Sequence, residues 1–323
     1  MVIVGFDAGF GDCKVSIGNE HGEIVKLFKF PSKVGITKKL ESVDNDKIVD
    51  FEGNAFMVAE DAAHLPSENI ISIDSYSKLE YYAPILLFHA MKLAKIESID
   101  LLVTGLSIAQ VQYSGHFQNR LADFTINDRQ YTTKVYVLPQ GAGAKLAVSK
   151  YGGNFPKEQK EFLDKSSYII ADIGFNTLDT LLVSNGKTDP NLFEGIEGEG
   201  LMKIASQVAK IVYENHNRKI TLPEAKDILD SGVYKLRGQR HDYSEQIKDI
   251  KSEYLKGLLK LIDERYPSMI DKVDFIQLVG GGSTLFKNTE NQFIRTTPEK
   301  PEFYNAIGEF LFGLGKIWLL KIL

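Results

Sequence analysis

Two near-copies of one short motif, an aspartate followed by a glycine turn, lie far apart in this chain. The first is Asp7-Ala8-Gly9-Phe10 and the second is Asp172-Ile173-Gly174-Phe175. Each follows an apolar run typical of a buried strand, residues 2–6 and 168–171. Glycine lets backbone N–H groups point at phosphate oxygens, and a nearby carboxylate can hold the water shell of Mg²⁺. The pair predicts two phosphate-binding strand ends, although one copy alone is also common in ordinary hairpins.

Composition narrows the class of protein. A chain of 323 residues predicts two domains of about 150 residues each. The net charge of -5 argues against a broad nucleic-acid-binding surface, which needs clustered Lys and Arg. The single cysteine, Cys13, excludes an intramolecular disulfide and a multi-cysteine metal site. No signal peptide or membrane span is recognisable, so we expect a cytoplasmic protein.

Strand-like and helix-like runs alternate in both halves, which predicts α/β domains that are duplicated. Residues 31–77 are polar and irregular, typical of a small inserted subdomain, and the glycine-rich and charged stretch 152–165 predicts a domain boundary. We predict a first domain of residues 1–152 plus about 300–323, and a second domain of residues 153–299 with a helical subdomain at about 195–270.

Single elements are predicted by periodicity. Helices are expected over 79–94 and 142–151 and from about 244 to 264, and strands over 99–104, 131–138 and 273–279. A further helix is predicted by five apolar residues at helical spacing, which are Leu201, Ile204, Ala205, Val208 and Val212.

The order of these segments resembles the actin-like ATPase superfamily, and within it the prokaryotic actin-like proteins of the plasmid-segregating ParM type and the archaeal actin-like type. Five segments carry the resemblance: the first phosphate loop at 7–14, the first connecting helix at 139–144, the second phosphate loop at 172–179, the adenosine motif at 278–283 and the second connecting helix at 305–308. The resemblance implies an α/β, actin-like fold, built from duplicated ribonuclease H-like domains with a nucleotide cleft between the two domains.

The resemblance also implies site residues. Asp7 and Asp172 would hold Mg²⁺ mostly through water, and Gln140 and Asp172 would be catalytic, with Gln140 orienting the attacking water. The implied nucleotide-binding residues are Asp7, Gly9, Phe10, Gly11, Asp12, Lys14, Gly174, Phe175, Asn176, Thr177, Glu199, Gly280, Gly281, Gly282 and Ser283.

Structural alternatives remain open for several of these residues. Lys14 is also typical of an exposed strand lysine, and Gln140 of a helix-capping side chain after Pro139. Glu199 is equally typical of an exposed loop. The triple glycine, residues 280–282, is also typical of a tight turn between a strand and a helix. Ser283 is expected to cap the helix that follows.

By resemblance, the chain would polymerise into filaments with Mg-ATP and depolymerise after hydrolysis to ADP, for plasmid or DNA segregation. GTP is the alternative nucleotide. The expected partners are further copies of the chain and a DNA-binding adaptor protein, with no direct contact to nucleic acid or membrane. A small-molecule kinase of the same fold and a non-polymerising nucleotide-dependent scaffold are the competing functions.

The apolar C-terminal stretch, residues 310–323, has two interpretations. The first is an amphipathic helix that packs on the first domain. The second is an anchor for a membrane or partner, formed by Trp318 and its apolar neighbours, although only two lysines lie near it.

Overall fold

The strand β1 (Val2–Ala8) is apolar on both faces, and six of its seven residues are buried. Ile3 packs with Leu101 and Phe310 on one face, whereas Val4 and Phe6 belong to a separate cluster on the other. A strand that is covered on both faces is built from a continuous run of apolar residues. Such a run is recognisable in the sequence, and it predicts β1.

The computed structural model describes residues 1–38, 45–151, 163–286, 291–297 and 299–322. The predicted boundary at 152–165 lies mostly outside the described residues. By contacts the chain divides into one unit of Met1–Asn154 with Glu302–Leu323, and a second unit of Phe155–Pro301.

The strands after β1 follow in chain order. They are β2 (Asp12–Asn19), β3 (Ile24–Pro31), β4 (Lys33–Thr37), β5 (Val49–Phe51), β6 (Asn54–Val58), β7 (Ile70–Ser72), β8 (Leu101–Leu106), β9 (Asp123–Ile126), β10 (Arg129–Thr132), β11 (Lys134–Pro139), β12 (Tyr168–Ile173), β13 (Thr177–Ser184), β14 (Lys187–Glu197), β15 (Val233–Leu236), β16 (Gln239–Asp242), β17 (Phe275–Val279) and β18 (Ile294–Thr296).

The helices whose bounds both lie in the described part of the chain are α1 (Tyr76–Ala94), α2 (Ser114–Ala122), α3 (Ala142–Tyr151), α4 (Leu201–His216), α5 (Leu222–Ser231), α6 (Ser244–Arg265) and α7 (Tyr304–Ile322). Short 3₁₀ turns lie at Asn45–Lys47, Ala62–His64, Ser67–Asn69, Ile108–Tyr113, Ile270–Lys272, Gly281–Phe286 and Pro301–Phe303. No helix among the described residues has the length and apolar character that crossing a membrane requires.

The main sheet of the first unit has the strand order β11-β8-β1-β2-β3. The strands β1, β2 and β3 form an antiparallel meander, and β8 and β11 run parallel to β1. A second sheet of order β5-β6-β4-β7 lies within the predicted insertion at 31–77, and β9 pairs with β10 in a separate hairpin.

The main sheet of the second unit has the order β14-β13-β12-β17-β18. Helices α4 and α6 pack on it through one continuous core, and the five apolar residues that predict α4 are all buried there. The strands β15 and β16 form a hairpin between α5 and α6.

The C-terminal helix α7 packs on the first unit, so the first interpretation of this stretch is correct for the residues described. Phe310, Leu314 and Ile317 are buried against β1 and β8. Trp318 and Leu319 are 51% and 60% exposed, and the Trp318 indole donates to the Glu20 carbonyl at 3.2 Å.

One predicted strand is wrong in its extent. Residues 131–138 are divided between β10 and β11, which belong to different sheets. Thr133 separates them, because its N–H donates to the Ala122 carbonyl and its hydroxyl donates to the Ile99 carbonyl.

Candidate functional site

The first predicted phosphate loop is the turn between β1 and β2. Asp7 lies near the end of β1 and is only 3% exposed. The Gly9 N–H donates to the Asp7 carbonyl at 3.1 Å, and a Cβ at Gly9 would stand 2.8 Å from the Asp12 carbonyl oxygen. The turn is therefore tight enough to require glycine at this position.

Ser32, between β3 and β4, holds this loop in place, and sequence reasoning missed it. Its hydroxyl donates to the Gly9 carbonyl at 2.6 Å, and its N–H donates to the Gly11 carbonyl at 3.0 Å. The Cys13 sulfur lies 3.3 Å from the same hydroxyl. Burial raises the pKa of the Cys13 thiol to about 12, so this thiol is neutral and serves as a small packing group.

Three predicted site residues meet at the end of β1. The antiparallel register places Lys14 opposite Asp7, and the Lys14 Nζ lies 3.5 Å from Asp7 Oδ2. Gln140, which follows β11, donates from Nε2 to Asp7 Oδ1 at 2.9 Å. Lys14 is 15% exposed in its side chain, so it is not an exposed strand lysine.

The capping alternative for Gln140 is also wrong. Its N–H donates to the Leu106 carbonyl at 2.7 Å, and its side chain reaches Asp7. The first turn of α3 is capped by Asn305, whose Oδ1 accepts from the N–H groups of Gly141 and Ala144 at 3.1 and 3.2 Å.

The second predicted phosphate loop is the turn between β12 and β13. Asp172 is buried in β12, and the Gly174 N–H donates to the Thr177 carbonyl at 2.9 Å. The Thr177 hydroxyl donates to Asp179 Oδ2 at 3.1 Å, so Asp179 supports the loop. The first turn of α4 is joined to the same loop, because the N–H of Leu201 donates to the Gly174 carbonyl at 3.0 Å.

The glycine-rich segment before α4 contacts this loop through its backbone. The N–H groups of Gly198 and Gly200 donate to the Asn176 carbonyl at 2.8 and 3.2 Å. The Glu199 carboxylate pairs with Lys203 at 2.6 Å, and the Glu199 carbonyl accepts from the Tyr254 hydroxyl at 2.6 Å. The segment thus joins the second loop to α6.

The triple-glycine turn after β17 packs on β12. Gly280 has a φ of +80°, and a Cβ there would overlap Asp172 Oδ1. A Cβ at Gly282 would overlap the Ile173 side chain. The turn therefore requires glycine for packing against the second loop, whether or not a ligand is bound.

The structure corrects the expected role of Ser283. This residue lies inside the 3₁₀ turn, and its fully buried hydroxyl donates to the Gly280 carbonyl at 2.8 Å. It stabilises the turn and does not cap a following helix.

No group of three or more His, Cys, Asp or Glu side chains within the described ranges is arranged to hold a metal ion. In the first loop the Asp7 carboxylate pairs with Lys14, and in the second loop Asp172 lies opposite a second buried carboxylate, Asp179, in the register of β12 and β13.

The chain is similar to actin-like proteins in both halves. Residues 5–143 match the family of actin-like proteins, N-terminal domain. Residues 170–291 match the family of archaeal actin homologues, MreB-like, C-terminal. No curated protein sequence matches the chain at a significant level.

Solved structures of the same fold cover nearly the whole chain. The archaeal actin homologue Ta0583 is 22% identical with a TM-score of 0.75, over 97% of this chain and 99% of that one. Its complex with ADP gives 20% identity and a TM-score of 0.73, over 97% and 99%. The ParM of a 15-stranded filament from Clostridium botulinum gives 20% and 0.74, over 97% and 98%. By its two family matches and its actin-like fold, the chain belongs to the actin-like proteins.

Proposed function

We propose that this protein binds Mg-ATP, hydrolyses it, and uses the hydrolysis cycle to assemble into filaments and to leave them. The observation that carries the proposal is the cluster of Asp7, Lys14 and Gln140 beside a glycine turn. It combines a carboxylate, a cation and an amide, which are the groups that nucleotide hydrolysis needs for a metal, a phosphate and a water.

The phosphates would be bound by the two glycine turns. In the first loop, Lys14 lies beside Gly9, since a Cβ at Gly9 would stand 3.1 Å from Nζ. The lysine is therefore close to the backbone of the turn, and a phosphate oxygen there would form a charge-assisted hydrogen bond with it. In the second loop, the turn from Gly174 to Thr177 would contact phosphate oxygens.

The donor set fits a hydrated Mg²⁺. This ion loses water reluctantly and is usually held by one or two carboxylates together with substrate phosphates. Asp7 in β1 and Asp172 in β12 are buried carboxylates, and the buried Asp179 lies opposite Asp172 in β13. Asp7 and Asp172 would bind the ion mostly through its water shell. When bound, Mg²⁺ neutralises charge on the phosphates.

Gln140 would orient the attacking water. Because its Nε2 donates to Asp7 and its N–H donates to Leu106, both the side chain and the backbone are fixed. Hydrolysis of a γ-phosphate requires positioning and charge neutralisation more than covalent chemistry, and a held amide can supply the positioning.

The filament part of the proposal draws on the relatives. One similar structure is a ParM filament, and another is an archaeal actin homologue with ADP. If subunits that carry ATP bind their neighbours more tightly than subunits that carry ADP, hydrolysis sets the lifetime of the polymer. We propose plasmid or DNA segregation in the cytoplasm as the role, through a DNA-bound adaptor protein.

The test is sedimentation and light scattering of the purified protein with Mg-ATP, Mg-ADP, Mg-GTP or no nucleotide. Pelleting only with the triphosphate supports the proposal. Binding of fluorescent ATP without turnover or pelleting would favour a scaffold, and phosphorylation of an added small acceptor would favour a kinase. The variant Asp172→Ala is the control, since it should weaken Mg-dependent turnover.

A further inference from the structure

The beginnings of helices α3 and α7 are joined by one buried side chain, Asn305. Its Oδ1 accepts hydrogen bonds from the Gly141 and Ala144 N–H groups at 3.1 and 3.2 Å, and the residue is 6% exposed. The first four N–H groups of a helix have no partner within the helix, so an acceptor here fixes where the helix starts. Asn305 supplies this acceptor from a segment 164 residues away in the chain.

The position of Asn305 is itself fixed by close backbone contacts. A Cβ at Gly308, one turn further along α7, would overlap the Gly143 carbonyl of α3. A Cβ at Gly5 in β1 would overlap the Ala306 carbonyl. The first turn of α7 is therefore held between β1 and α3, and Asn305 cannot shift without moving one of them.

Gln140 lies immediately before the capped turn. Its own N–H donates to the Leu106 carbonyl at 2.7 Å, and the next N–H, of Gly141, donates to Asn305. Gly141 has a φ of +85°, so the chain turns sharply between these two hydrogen bonds. The direction of the Gln140 side chain toward Asp7 depends on both.

We propose that Asn305 is a positioning residue for Gln140. It acts on the hydrolysis step rather than on nucleotide binding, because its Oδ1 accepts from the N–H groups of Gly141 and Ala144, which follow Gln140 in the chain. This inference rests on the proposed function, in which Gln140 orients the attacking water.

The first test is a double-mutant cycle with a conservative variant. Asn305→Ala should lower kcat for phosphate release by about 10-fold to 100-fold, since displacements near 1 Å have effects of that size. The affinity for fluorescent ATP should stay unchanged. Asn305→Asp keeps an acceptor oxygen at a helix N-terminus and should retain kcat within about threefold.

The substitution Asn305→Ala, made in the Gln140→Ala variant, distinguishes a positioning role from a general loss of structure. If Asn305 acts through Gln140, Asn305→Ala has no further effect on kcat in that background. An equal loss of kcat in both backgrounds would overturn the proposal. Thr221→Ala is the matched control, because Thr221 caps α5 and its loss should lower thermal stability without changing kcat. If Asn305→Ala does not accumulate as folded protein, Asn305→Ser replaces it, since its shorter side chain cannot reach both amides.

The second test needs no turnover, so it separates failure of this inference from failure of the proposed function. The NMR signals of the Gln140 side-chain amide report its hydrogen bond to Asp7 in the protein without nucleotide. The chemical shifts of these signals should change in Asn305→Ala and stay the same in Asn305→Asp and Thr221→Ala. Unchanged signals in Asn305→Ala would overturn the positioning role, even if the protein hydrolyses ATP.

Discussion

At the scale of single residues, side chains from distant parts of the chain hold the backbone around Asp7, Lys14 and Gln140. The Ser32 hydroxyl donates to the Gly9 carbonyl, and Asn305 Oδ1 accepts from the N–H group that follows Gln140. Asp7, Lys14 and Gln140 are recognisable because each lies in a motif, and the structure brings them together. Ser32 lies in no motif, and Asn305 lies in the motif at 305–308 without any sign of its capping role, because each acts through hydrogen bonds to backbone groups that are 23 residues away for Ser32 and up to 164 residues away for Asn305. A serine or asparagine without that contact is typical of any turn.

Replacement of Gln140 by alanine should separate binding from hydrolysis. We expect phosphate release to slow by about 10-fold to 100-fold, because the water loses its orienting group. Binding of ATP should be unchanged, and polymers should last longer. The measurement is phosphate release together with light scattering after ATP is added.

Gln130→Ala is the matched control for this variant. Gln130 also donates to an aspartate, Asp123, at 2.9 Å, but it lies on the β9–β10 hairpin. The Gln130→Ala variant should hydrolyse ATP at the parental rate. If Gln140→Ala does so as well, the role assigned to Gln140 is wrong.

His89 on α1 makes stability depend on pH. Its Nε2 is buried without a hydrogen-bond partner among the described residues, and burial lowers the pKa of His89 below its ordinary value. The imidazole of His89 therefore binds a proton more readily in the unfolded chain than in the folded protein. The stability that neutral His89 contributes near pH 7 is lost as pH falls below about 6.5.

The pH dependence is tested with His89→Leu. Between pH 7.5 and 5.5 the parental protein should lose about 1 kcal/mol more of its unfolding free energy than the variant does. Urea denaturation at both pH values measures the difference. Equal losses in the two proteins would show that His89 is not a source of acid sensitivity.

At the scale of elements, periodic apolar patterns predict helices well. The residues that predict α4 are all buried, and those of α6, Ile247, Ile250, Tyr254, Leu258 and Ile262, are buried too. The sequence predicts neither the helix α2 nor the β15–β16 hairpin. Both are short, and their apolar positions are too few to show a period. The break at Thr133 depends on tertiary hydrogen bonds, which no local pattern contains.

The crossing of α3 and α7 predicts a sharp difference between two glycines of one helix. Gly308→Ala should destabilise the protein by about 3 kcal/mol or more, because its Cβ would overlap the Gly143 carbonyl. Gly315→Ala should be neutral or stabilise by up to about 1 kcal/mol, since nothing lies near that Cβ and alanine favours helix. Urea midpoints of the two variants give the comparison, and equal midpoints would contradict this crossing.

At the scale of the whole molecule, the repeat in the sequence corresponds to a repeat in the fold. In each unit an antiparallel meander is extended by two parallel strands, in the orders β11-β8-β1-β2-β3 and β18-β17-β12-β13-β14. In each aspartate–glycine motif the aspartate lies in the first strand of the meander, and the glycine lies in the turn to the second strand. The fold class was therefore predictable, because the motifs mark equivalent places in two copies of one topology.

The rate of phosphate release per protein molecule, measured against protein concentration in Mg-ATP, tests ATP-driven assembly most directly. We predict slow release below a threshold concentration and faster release above it, with pelleting beginning at the same threshold and absent in Mg-ADP. A constant rate per molecule at all concentrations, with no pelleting, would contradict hydrolysis coupled to filament assembly.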